Sequence, residues 1–395
     1  MQPLTFRDAR EVVLREAGKN RVAPQTEPVR LDVALGRVLA RDAGADRDYP
    51  PFDRAMRDGF AVRAADLPGK LRVSGEIRAG QHSDLALRAG EAIEIMTGAP
   101  VPPGADAVVM IEHCEKAGDT VSIGRSLESG ANIAPRGSEA RASGVVLERG
   151  SRLSYPGVAW LAATGQQTVE VFARPRVAIV STVDEIVEIG STPKPHQIRN
   201  SNGWSLSAQV KRAGGIPVRM PIAPDTVEDT RWIVEQGLES DMLLLSGGVS
   251  AGKYDVVETV LAELGAEFFF DRVLIQPGQP LVFGRVREKL FFGLPGNPVS
   301  GMVTFEVFAR AALELLSGVN DAPLPLTLAR LTRKFTHKPG LTRFLPACVS
   351  DAEVTPVEWH GSGDIAALCR ANAFLVAYAD KPEYAAGETI RVLPM

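Results

Sequence analysis

The middle of the chain alternates between short apolar runs and longer amphipathic stretches. The apolar runs at residues 177–181, 217–220, 242–245 and 290–294 show no polar alternation and predict buried strands. After each run, apolar residues recur at helical spacing, which predicts helices over residues 201–213, 226–237, 256–264 and 299–316. Strands and helices that alternate in this way form right-handed crossovers. The pattern therefore predicts a central, doubly wound, mostly parallel sheet.

The pattern changes on both sides of this α/β segment. Residues 5–18 predict an amphipathic helix, and residues 71–146 have a period of two with frequent turns, which is typical of a small β region. After residue 323 the helical period is lost again, which indicates a small β-barrel or sandwich. We therefore predict a multidomain α/β plus β protein. Its domains are an N-terminal helical and β-rich region of two subdomains (1–165), an α/β domain (174–318) and a C-terminal β-barrel domain (323–395).

Composition and charge limit the classes of molecule that the protein is expected to bind. The 395 residues carry a net charge of −4, which gives no reason to expect nucleic acid or an anionic membrane. No apolar run approaches the roughly 18 residues of a membrane span, and the first residues lack an apolar signal core. The three cysteines are widely spaced and fit reduced thiols. We expect a cytoplasmic protein that binds a small-molecule substrate.

Two loops rich in glycine or proline follow the third and fourth predicted strands. Glycines let backbone amides turn toward a bound anion, and Pro298 after Asn297 favours a helix that begins there. Both loops lie at carboxyl ends of parallel strands, where α/β sheets bind their ligands. The candidate anion-binding residues are Ser246, Gly247, Gly248 and Ser250 in the first loop, and Pro295, Gly296, Asn297, Pro298 and Ser300 in the second.

Acidic residues follow the same predicted strands. Asp184 and Glu185 come after the first strand, Asp225 after the second, and Asp255 lies at the end of the first glycine-rich loop. Any one of them has a plain alternative explanation, since exposed acids are common in loops. Four carboxylates around an anion site are consistent with a hard cation such as Mg²⁺ that joins them to a phosphate.

Two further segments precede the α/β domain. Asp58-Gly59 is a turn signal between apolar flanks, so a hairpin turn is its simplest interpretation. Thr97 lies in a segment dense in proline and glycine that either holds the threonine in place or is a stiff connector. Arg136, in another turn, is a candidate anion ligand, although a lone arginine in a turn is usually solvated.

Together these motifs resemble the MoeA family, the molybdopterin molybdenumtransferases, to which the C-terminal domain of gephyrin is related. The matching stretches occur in the family's order and span nearly the whole chain. They include Asp58-Gly59-Phe60-Ala61, Met96-Thr97-Gly98-Ala99-Pro100, Ser246-Gly247-Gly248-Val249-Ser250, Leu294-Pro295-Gly296-Asn297-Pro298 and Gly361-Ser362-Gly363.

The resemblance implies insertion of molybdate into adenylylated molybdopterin, with release of AMP, in a magnesium-dependent step. It implies that the two loops hold the pterin phosphate and pyrophosphate. It also implies catalytic roles for Asp58, Thr97, Asp184 and Glu185, and metal binding by Asp225, Asp255 and Glu185. Family analogy further implies a homodimer in which Asp58 and Thr97 complete the active site of the partner. Other proteins of molybdenum cofactor biosynthesis are candidate partners.

Three positions depart from the family pattern, and each has a physical consequence. Val183 replaces a usual glycine and stiffens its loop, Ala140 replaces an aspartate and cannot bind a cation, and Asn200 replaces a common aspartate. These changes leave open a paralogue that uses tungstate. The sequence is also compatible with a different molybdopterin or nucleotide enzyme on the same α/β domain, and with a non-catalytic scaffold.

Overall fold

The structure is a computed structural model that describes residues 1–19, 24–80, 83–181, 185–222, 226–247 and 256–395. None of the helices in these ranges is both long and apolar enough to span a bilayer. Along the chain, a β-rich region is followed by an α/β region and then by a small barrel.

The N-terminal region begins with a helix and continues as short strands. Helix α1 (Phe6–Lys19) is capped by Thr5, whose hydroxyl accepts a hydrogen bond of 3.2 Å from the Asp8 amide. Helix α2 (Tyr155–Ala163) begins after Ser154, which caps it in the same way. The strands are β1 (Thr26–Arg30), β2 (Ala43–Gly44), β3 (Arg54–Ala55), β4 (Gly59–Val62), β5 (Gly69–Ile77), β6 (Glu91–Ile95), β7 (Ala107–Met110), β8 (Cys114–Ala117), β9 (Thr120–Ile123), β10 (Ile133–Ala134), β11 (Val145–Leu147) and β12 (Thr168–Phe172).

One six-stranded sheet of this region, in the order β7-β4-β6-β5-β9-β8, corrects the interpretation of Asp58-Gly59. Gly59 is not part of a hairpin turn. It begins β4, an interior strand, and pairs with Ile95 on one side and Met110 on the other. Its φ is +154°, and a Cβ there would lie 1.8 Å from the Val109 carbonyl oxygen. The glycine is therefore required by a close approach of two backbones.

The α/β region follows the predicted alternation closely. Its strands are β13 (Arg176–Ser181), β14 (Ile186–Val187), β15 (Ile198–Arg199), β16 (Ile216–Arg219), β17 (Met242–Ser246), β18 (Glu267–Arg272), β19 (Ile275–Gln276), β20 (Pro280–Val286) and β21 (Lys289–Leu294). Its helices are α3 (Ser201–Arg212), α4 (Val227–Gly237), α5 (Val256–Glu263), α6 (Pro298–Thr304) and α7 (Arg310–Leu316). A π-helical turn, Phe305–Ala309, joins α6 to α7 where the sequence predicted one continuous helix.

The main sheet of this region has the order β16-β13-β17-β21-β20-β18. The first four strands are parallel, and β20 and β18 are antiparallel. Successive residues of β13 point to opposite faces: Val177 and Ile179 join a core with α1, α3, α6 and α7, whereas Ala178 and Val180 join a core with α4 and α5. Helices thus cover both faces, which confirms the predicted doubly wound, mostly parallel sheet.

The C-terminal region is a closed barrel. Its strands are β22 (Thr327–Leu331), β23 (Phe335–Thr336), β24 (Thr342–Ser350), β25 (Glu353–Pro356), β26 (Ala373–Ala377), β27 (Glu383–Tyr384) and β28 (Thr389–Pro394), with helix α8 (Ile365–Leu368) between β25 and β26. The pairing runs β24-β25-β22-β28-β26 and returns from β26 to β24. This closure confirms a barrel and excludes a sandwich.

Helix α1 connects the beginning of the chain to the α/β region and the barrel. The Phe6 ring makes edge contacts with Phe308 (centroids 6.2 Å apart) and Phe344 (5.5 Å). Arg10 donates from Nη1 to the Val307 carbonyl at 2.5 Å and from Nη2 to the carbonyl of Ala322. Burial of its guanidinium lowers the pKa of Arg10 to about 10. Helix α1 is therefore part of the hydrophobic core that the α/β region shares with the barrel.

Candidate active site

Three parallel strands end at the same level and form the rim of the candidate site. Ser181 of β13 is in register with Ser246 of β17, and Ser246 is in register with Leu294 of β21. The side chains of Ser181 and Ser246 are buried. The carboxyl ends of these three strands therefore lie side by side, which is where an α/β sheet usually binds its ligand.

Helix α3 begins at this rim and is fixed there by Asn200. The Asn200 Oδ1 accepts a hydrogen bond of 2.9 Å from the Gly203 amide and so caps the helix. Its Nδ2 donates to Ser181 Oγ at 3.2 Å. An aspartate could cap the helix but could not donate this second hydrogen bond. The Ser181 hydroxyl could instead donate to an aspartate, as it can to Asn200 Oδ1 at 3.4 Å, so the departure at Asn200 preserves a link between α3 and the end of β13.

Asn202 joins the two candidate anion loops, and sequence reasoning missed it. Its side chain is buried, and its Nδ2 donates to Ser246 Oγ at 2.9 Å and to the Gly296 carbonyl at 2.8 Å. The Gly247 amide adds a longer hydrogen bond of 3.3 Å to the Leu294 carbonyl. The only sequence signal for this role was a polar residue in the first turn of a helix that follows a strand.

The loop after β21 points the start of α6 toward the rim. Asn297 is in the N-cap position with extended backbone, and Pro298 is the first helical residue, as predicted. The next amide, that of Val299, donates at 3.0 Å to the carbonyl of Ser362, which belongs to the loop before α8. The C-terminal region thus occupies one backbone donor that the sequence had left for an anion. Ser300 is buried.

The acidic residues fall mostly outside the described part of the chain. Glu185 is described: its side chain is exposed, and its carbonyl accepts a hydrogen bond of 2.8 Å from Ile198. Asp184, Asp225 and Asp255 lie outside the described residues, as do Gly248, Val249 and Ser250. Within the described ranges there is no group of three or more His, Cys, Asp or Glu side chains that could hold a metal ion. Metal binding at this rim stays a prediction.

Asp58 and Thr97 are brought together by the N-terminal sheet. Asp58 precedes β4 and Thr97 follows β6, its neighbour. The Asp58 Oδ1 accepts hydrogen bonds from the Thr97 amide (2.6 Å) and hydroxyl (2.7 Å). These hydrogen bonds hold the pKa of the Asp58 carboxyl below its usual range, and the bond from the amide contributes more than the bond from the hydroxyl. The sequence predicted both residues separately, and the structure makes them one unit.

Arg136 has partners within its own region. Its Nε donates to Asp48 at 2.7 Å, and its amide donates to the Asp53 carboxylate at 2.8 Å. Ala140 pairs by its backbone with Tyr49. Arg136 therefore braces a surface turn, and its interpretation as an anion ligand gains no support.

The fold and rim define the class of protein. A family model described as "Probable molybdopterin binding domain" matches residues 178–315. Models described as "MoeA N-terminal region (domain I and II)" and "MoeA C-terminal region (domain IV)" match residues 4–165 and 328–395. The chain belongs to the MoeA family of molybdopterin molybdenumtransferases.

Individual relatives agree with this assignment. The molybdopterin molybdenumtransferase of Bacillus subtilis (strain 168) is 35% identical over 387 residues, which cover 93% of this chain and 90% of the relative. That of Staphylococcus aureus (strain COL) is 31% identical, with coverage of 92% and 90%. A crystal structure of the molybdopterin biosynthesis MoeA protein from Pyrococcus horikoshii OT3 superposes over all of both chains, with a TM-score of 0.82 and 29% identity.

Proposed function

We propose that the protein inserts molybdate into adenylylated molybdopterin and releases AMP, which forms the molybdenum cofactor. The observation that carries the proposal is the rim at which β13, β17 and β21 end level, with Asn202 joining Ser246 to Gly296. Relatives named molybdopterin molybdenumtransferase that match along nearly the whole chain support it. A rival enzyme that shares only the α/β domain would not explain matches in the N-terminal and C-terminal regions.

The proposed phosphate cradle consists of the loops after β17 and β21. Backbone amides and small side chains suit this task because they approach an anion closely and need no reorganisation. Asp184, Glu185, Asp225 and Asp255 are proposed to face the phosphates, and carboxylate oxygens are the donors that Mg²⁺ prefers. When bound, Mg²⁺ would offset the negative charge of the phosphoanhydride.

Asp58 is suited to accept hydrogen bonds and not to donate a proton. The two Thr97 donors lower the pKa of its carboxyl, so the group is ionised at neutral pH. In the proposed reaction it would orient a substrate N–H or O–H group. Positioning and charge compensation therefore carry the proposed catalysis.

The direct test is turnover. Purified protein is incubated with adenylylated molybdopterin, molybdate and Mg²⁺, and AMP release and cofactor formation are followed together. A parallel reaction with tungstate tests whether the protein is a tungstate paralogue. Absence of AMP release with either oxyanion would overturn the proposal and favour a scaffold.

Two substitutions test the assigned roles. Glu185→Gln should lower turnover far more than affinity for AMP, because it removes charge without changing size. Gly248→Val should weaken affinity and leave the fold intact, because a side chain would block backbone approach to an anion. Normal turnover of Glu185→Gln at saturating Mg²⁺ would remove Glu185 from the mechanism.

We further propose a homodimer in which Asp58 and Thr97 complete the site of the partner subunit. The test refolds Asp58→Ala and Asp255→Asn together. Random mixing makes about half of the dimers hybrid, and each hybrid has one intact cleft of two, so about a quarter of wild-type activity should return. If each cleft belongs to one chain, every cleft keeps a defect and mixing restores nothing.

A cytoplasmic location belongs to the same proposal, and the three widely spaced cysteines support it. The described cysteines are free, which fits a reducing compartment. Transient partners among other proteins of molybdenum cofactor biosynthesis follow from the reaction, since both substrate and product are chemically labile.

A further inference from the structure

An exposed tryptophan carries a stacked arginine beside the rim. The guanidinium carbon of Arg219 lies 3.6 Å from the centroid of the Trp204 ring. This separation is that of planar groups in face-to-face contact. Trp204 is 43% exposed, and Arg219 is also exposed. The indole covers one face of the guanidinium and leaves the pair accessible from solvent.

The location of this pair relates it to the phosphate cradle. Arg219 is the last residue of β16, the edge strand, and the residue level with Ile179 in β13. It therefore lies near the carboxyl end of the sheet, two residues short of the level of Ser181 and Ser246. Adjacent strands are about 4.8 Å apart, so β16 lies about 10 Å from β17, two strands away. This span is comparable with the reach of a nucleoside monophosphate.

Helix α3 links the pair to the cradle. Asn202, in its first turn, is bonded to Ser246 and Gly296, and Trp204 follows two residues later. Residues two apart on a helix point in different directions. In this turn Asn202 contacts Ser246 and Gly296, and Trp204 contacts Arg219 of the edge strand. The distance between cradle and indole is therefore set by a rigid element.

We propose that Trp204 and Arg219 form a stacking platform for a flat heteroaromatic ring of the phosphate-bearing substrate. The inference rests on the proposed function and deepens it, because it assigns a place to the ring while the loops after β17 and β21 hold the phosphates. Adenine and pterin both have this chemistry, and adenylylated molybdopterin contains both. Stacking on an aromatic ring or a guanidinium plane is the usual way in which proteins hold such rings.

The test compares phosphorylated ligands that carry a flat ring with one that carries none. Calorimetry measures the Kd of the full-length protein for AMP, for ribose 5-phosphate and for a pterin that carries a phosphate. In Trp204→Ala, affinity for at least one ring-bearing ligand should fall about tenfold, by the usual effect of losing one stacking partner. Affinity for ribose 5-phosphate should not change. Trp204→Phe keeps an aromatic face and should restore most of the loss.

Two further variants separate stacking from charge and from general damage. Arg219→Lys keeps the positive charge but loses the plane, so it should weaken the same ligands as Trp204→Ala. Trp232→Ala is the matched control: Trp232 is 57% exposed and lies on α4, in the helix layer on the other face of the sheet. This control should bind every ligand as the wild type does, and thermal unfolding reports the fold of each variant.

The outcomes are distinct. A loss confined to AMP places adenine on the platform, and a loss confined to the phosphorylated pterin places the pterin there. Unchanged affinity for both in Trp204→Ala, or wild-type affinity in Arg219→Lys, overturns the platform. If the protein binds AMP through Trp204 but releases none from adenylylated molybdopterin, the proposed function fails and the platform stands. If turnover is normal and Trp204→Ala does not change ligand affinity, the proposed function stands and the platform fails.

Discussion

The contact between Asp58 and Thr97 shows how one residue can set the charge of another. Both Thr97 donors reach the same carboxylate oxygen, and the backbone donor is fixed by the loop after β6. These two hydrogen bonds therefore hold the pKa of the Asp58 carboxyl below its ordinary value. Such a carboxylate keeps its hydrogen-bond acceptors available over a wide pH range.

Removal of the hydroxyl donor should raise the Asp58 pKa toward its ordinary value. Thr97→Val keeps the shape and the backbone donor, so the shift is partial. In the wild type the lowered pKa adds stability above the unfolded-state value, and this stability is lost as pH falls through the folded-state pKa. Thr97→Val should therefore lose part of that contribution. NMR titration of the Asp58 carboxyl checks the shift. Thr120→Val in the same sheet removes a hydroxyl that bonds to the Ala117 carbonyl and should leave the Asp58 pKa unchanged.

Gly59 gives a second prediction at this scale. Gly59→Ala places a methyl group against the Val109 carbonyl at an unfavourable φ, and should lower the free energy of unfolding by about 3 kcal/mol. Gly124→Ala, where a Cβ meets open space, should change it by less than about 0.5 kcal/mol. Urea denaturation measures both. Equal stability of the two variants would contradict the close approach.

Asp58 and Gly59 also show why sequence reasoning failed at one residue pair. Their composition is that of a hairpin turn, and nothing nearby in the sequence contradicts it. What decides the conformation is Val109 on the neighbouring strand, about 50 residues away. A local pattern can show that a glycine is required at a position, but it cannot show which distant strand leaves no room for a side chain there.

At the scale of elements, α3 organises the rim. Its first turn is bonded to β13 through Asn200 and to the loops after β17 and β21 through Asn202. The start of a single helix is thus hydrogen-bonded to residues at or just beyond the ends of three strands. The helix supplies rigidity that loops rich in glycine cannot supply themselves.

Asn202→Ala should loosen these loops. It leaves the buried Ser246 hydroxyl and Gly296 carbonyl without this donor, and should cost about 2 kcal/mol of unfolding free energy. Hydrogen exchange should become faster at the Gly247 amide. Ser205→Ala, in the next turn of the same helix, is the control and should affect neither quantity by much. Unchanged exchange in Asn202→Ala would show that the loops hold their positions without it.

The four strands and four helices predicted for the α/β region agree with the structure to within about two residues, because apolar runs and helical spacing alternate there in a regular way. Strands β14, β15 and β20 were not predicted. The role of Asn202 could not be predicted, since Gly296 lies 94 residues further along the chain. The π-helical turn at Phe305–Ala309 was also missed, because all five of its residues are buried and no one-sided apolar stripe is present whose shift in phase would reveal it. The predicted domain boundaries at 165, 174, 318 and 323 stay predictions.

At the scale of the whole molecule, buried charge holds the helices on one face of the sheet. Glu306 is 4% exposed, and its carboxylate contacts Arg212 of α3 at 2.8 Å and Arg310 of α7 at 3.4 Å. Gln209 donates to it at 2.7 Å. One carboxylate therefore balances two arginines on different helices.

Glu306→Gln should destabilise the protein by about 2 kcal/mol, because Arg212 loses its buried counter-charge, whereas Arg310 keeps Glu314 at 2.9 Å. The matched control is Glu353→Gln, which removes an exposed ion pair with Arg330 and should cost less than about 1 kcal/mol. Thermal and urea denaturation of both variants at the same ionic strength give the comparison. A loss no larger than that of the control would contradict a structural role for this cluster.

The barrel illustrates the limit of prediction at this scale. Its strands could be recognised, but the sequence left barrel and sandwich open. Strand β26 pairs with β24, and β25 pairs in parallel with β22. These pairings depend on where the strands lie in the folded chain, which the local pattern of residues does not show. Closure is therefore visible only in three dimensions.

The packing of α1 has a consequence for how the protein is made. Arg10 bonds to the carbonyl of Val307, 297 residues away. At a synthesis rate of roughly 5–20 residues per second, about 15–60 s pass between translation of these two residues. During that interval the contacts of α1 with the π-helical turn and with α7 cannot form. Helix α1 thus reaches these contacts long after it is translated, and the core that it shares with α7 is completed only after residue 307 has left the ribosome.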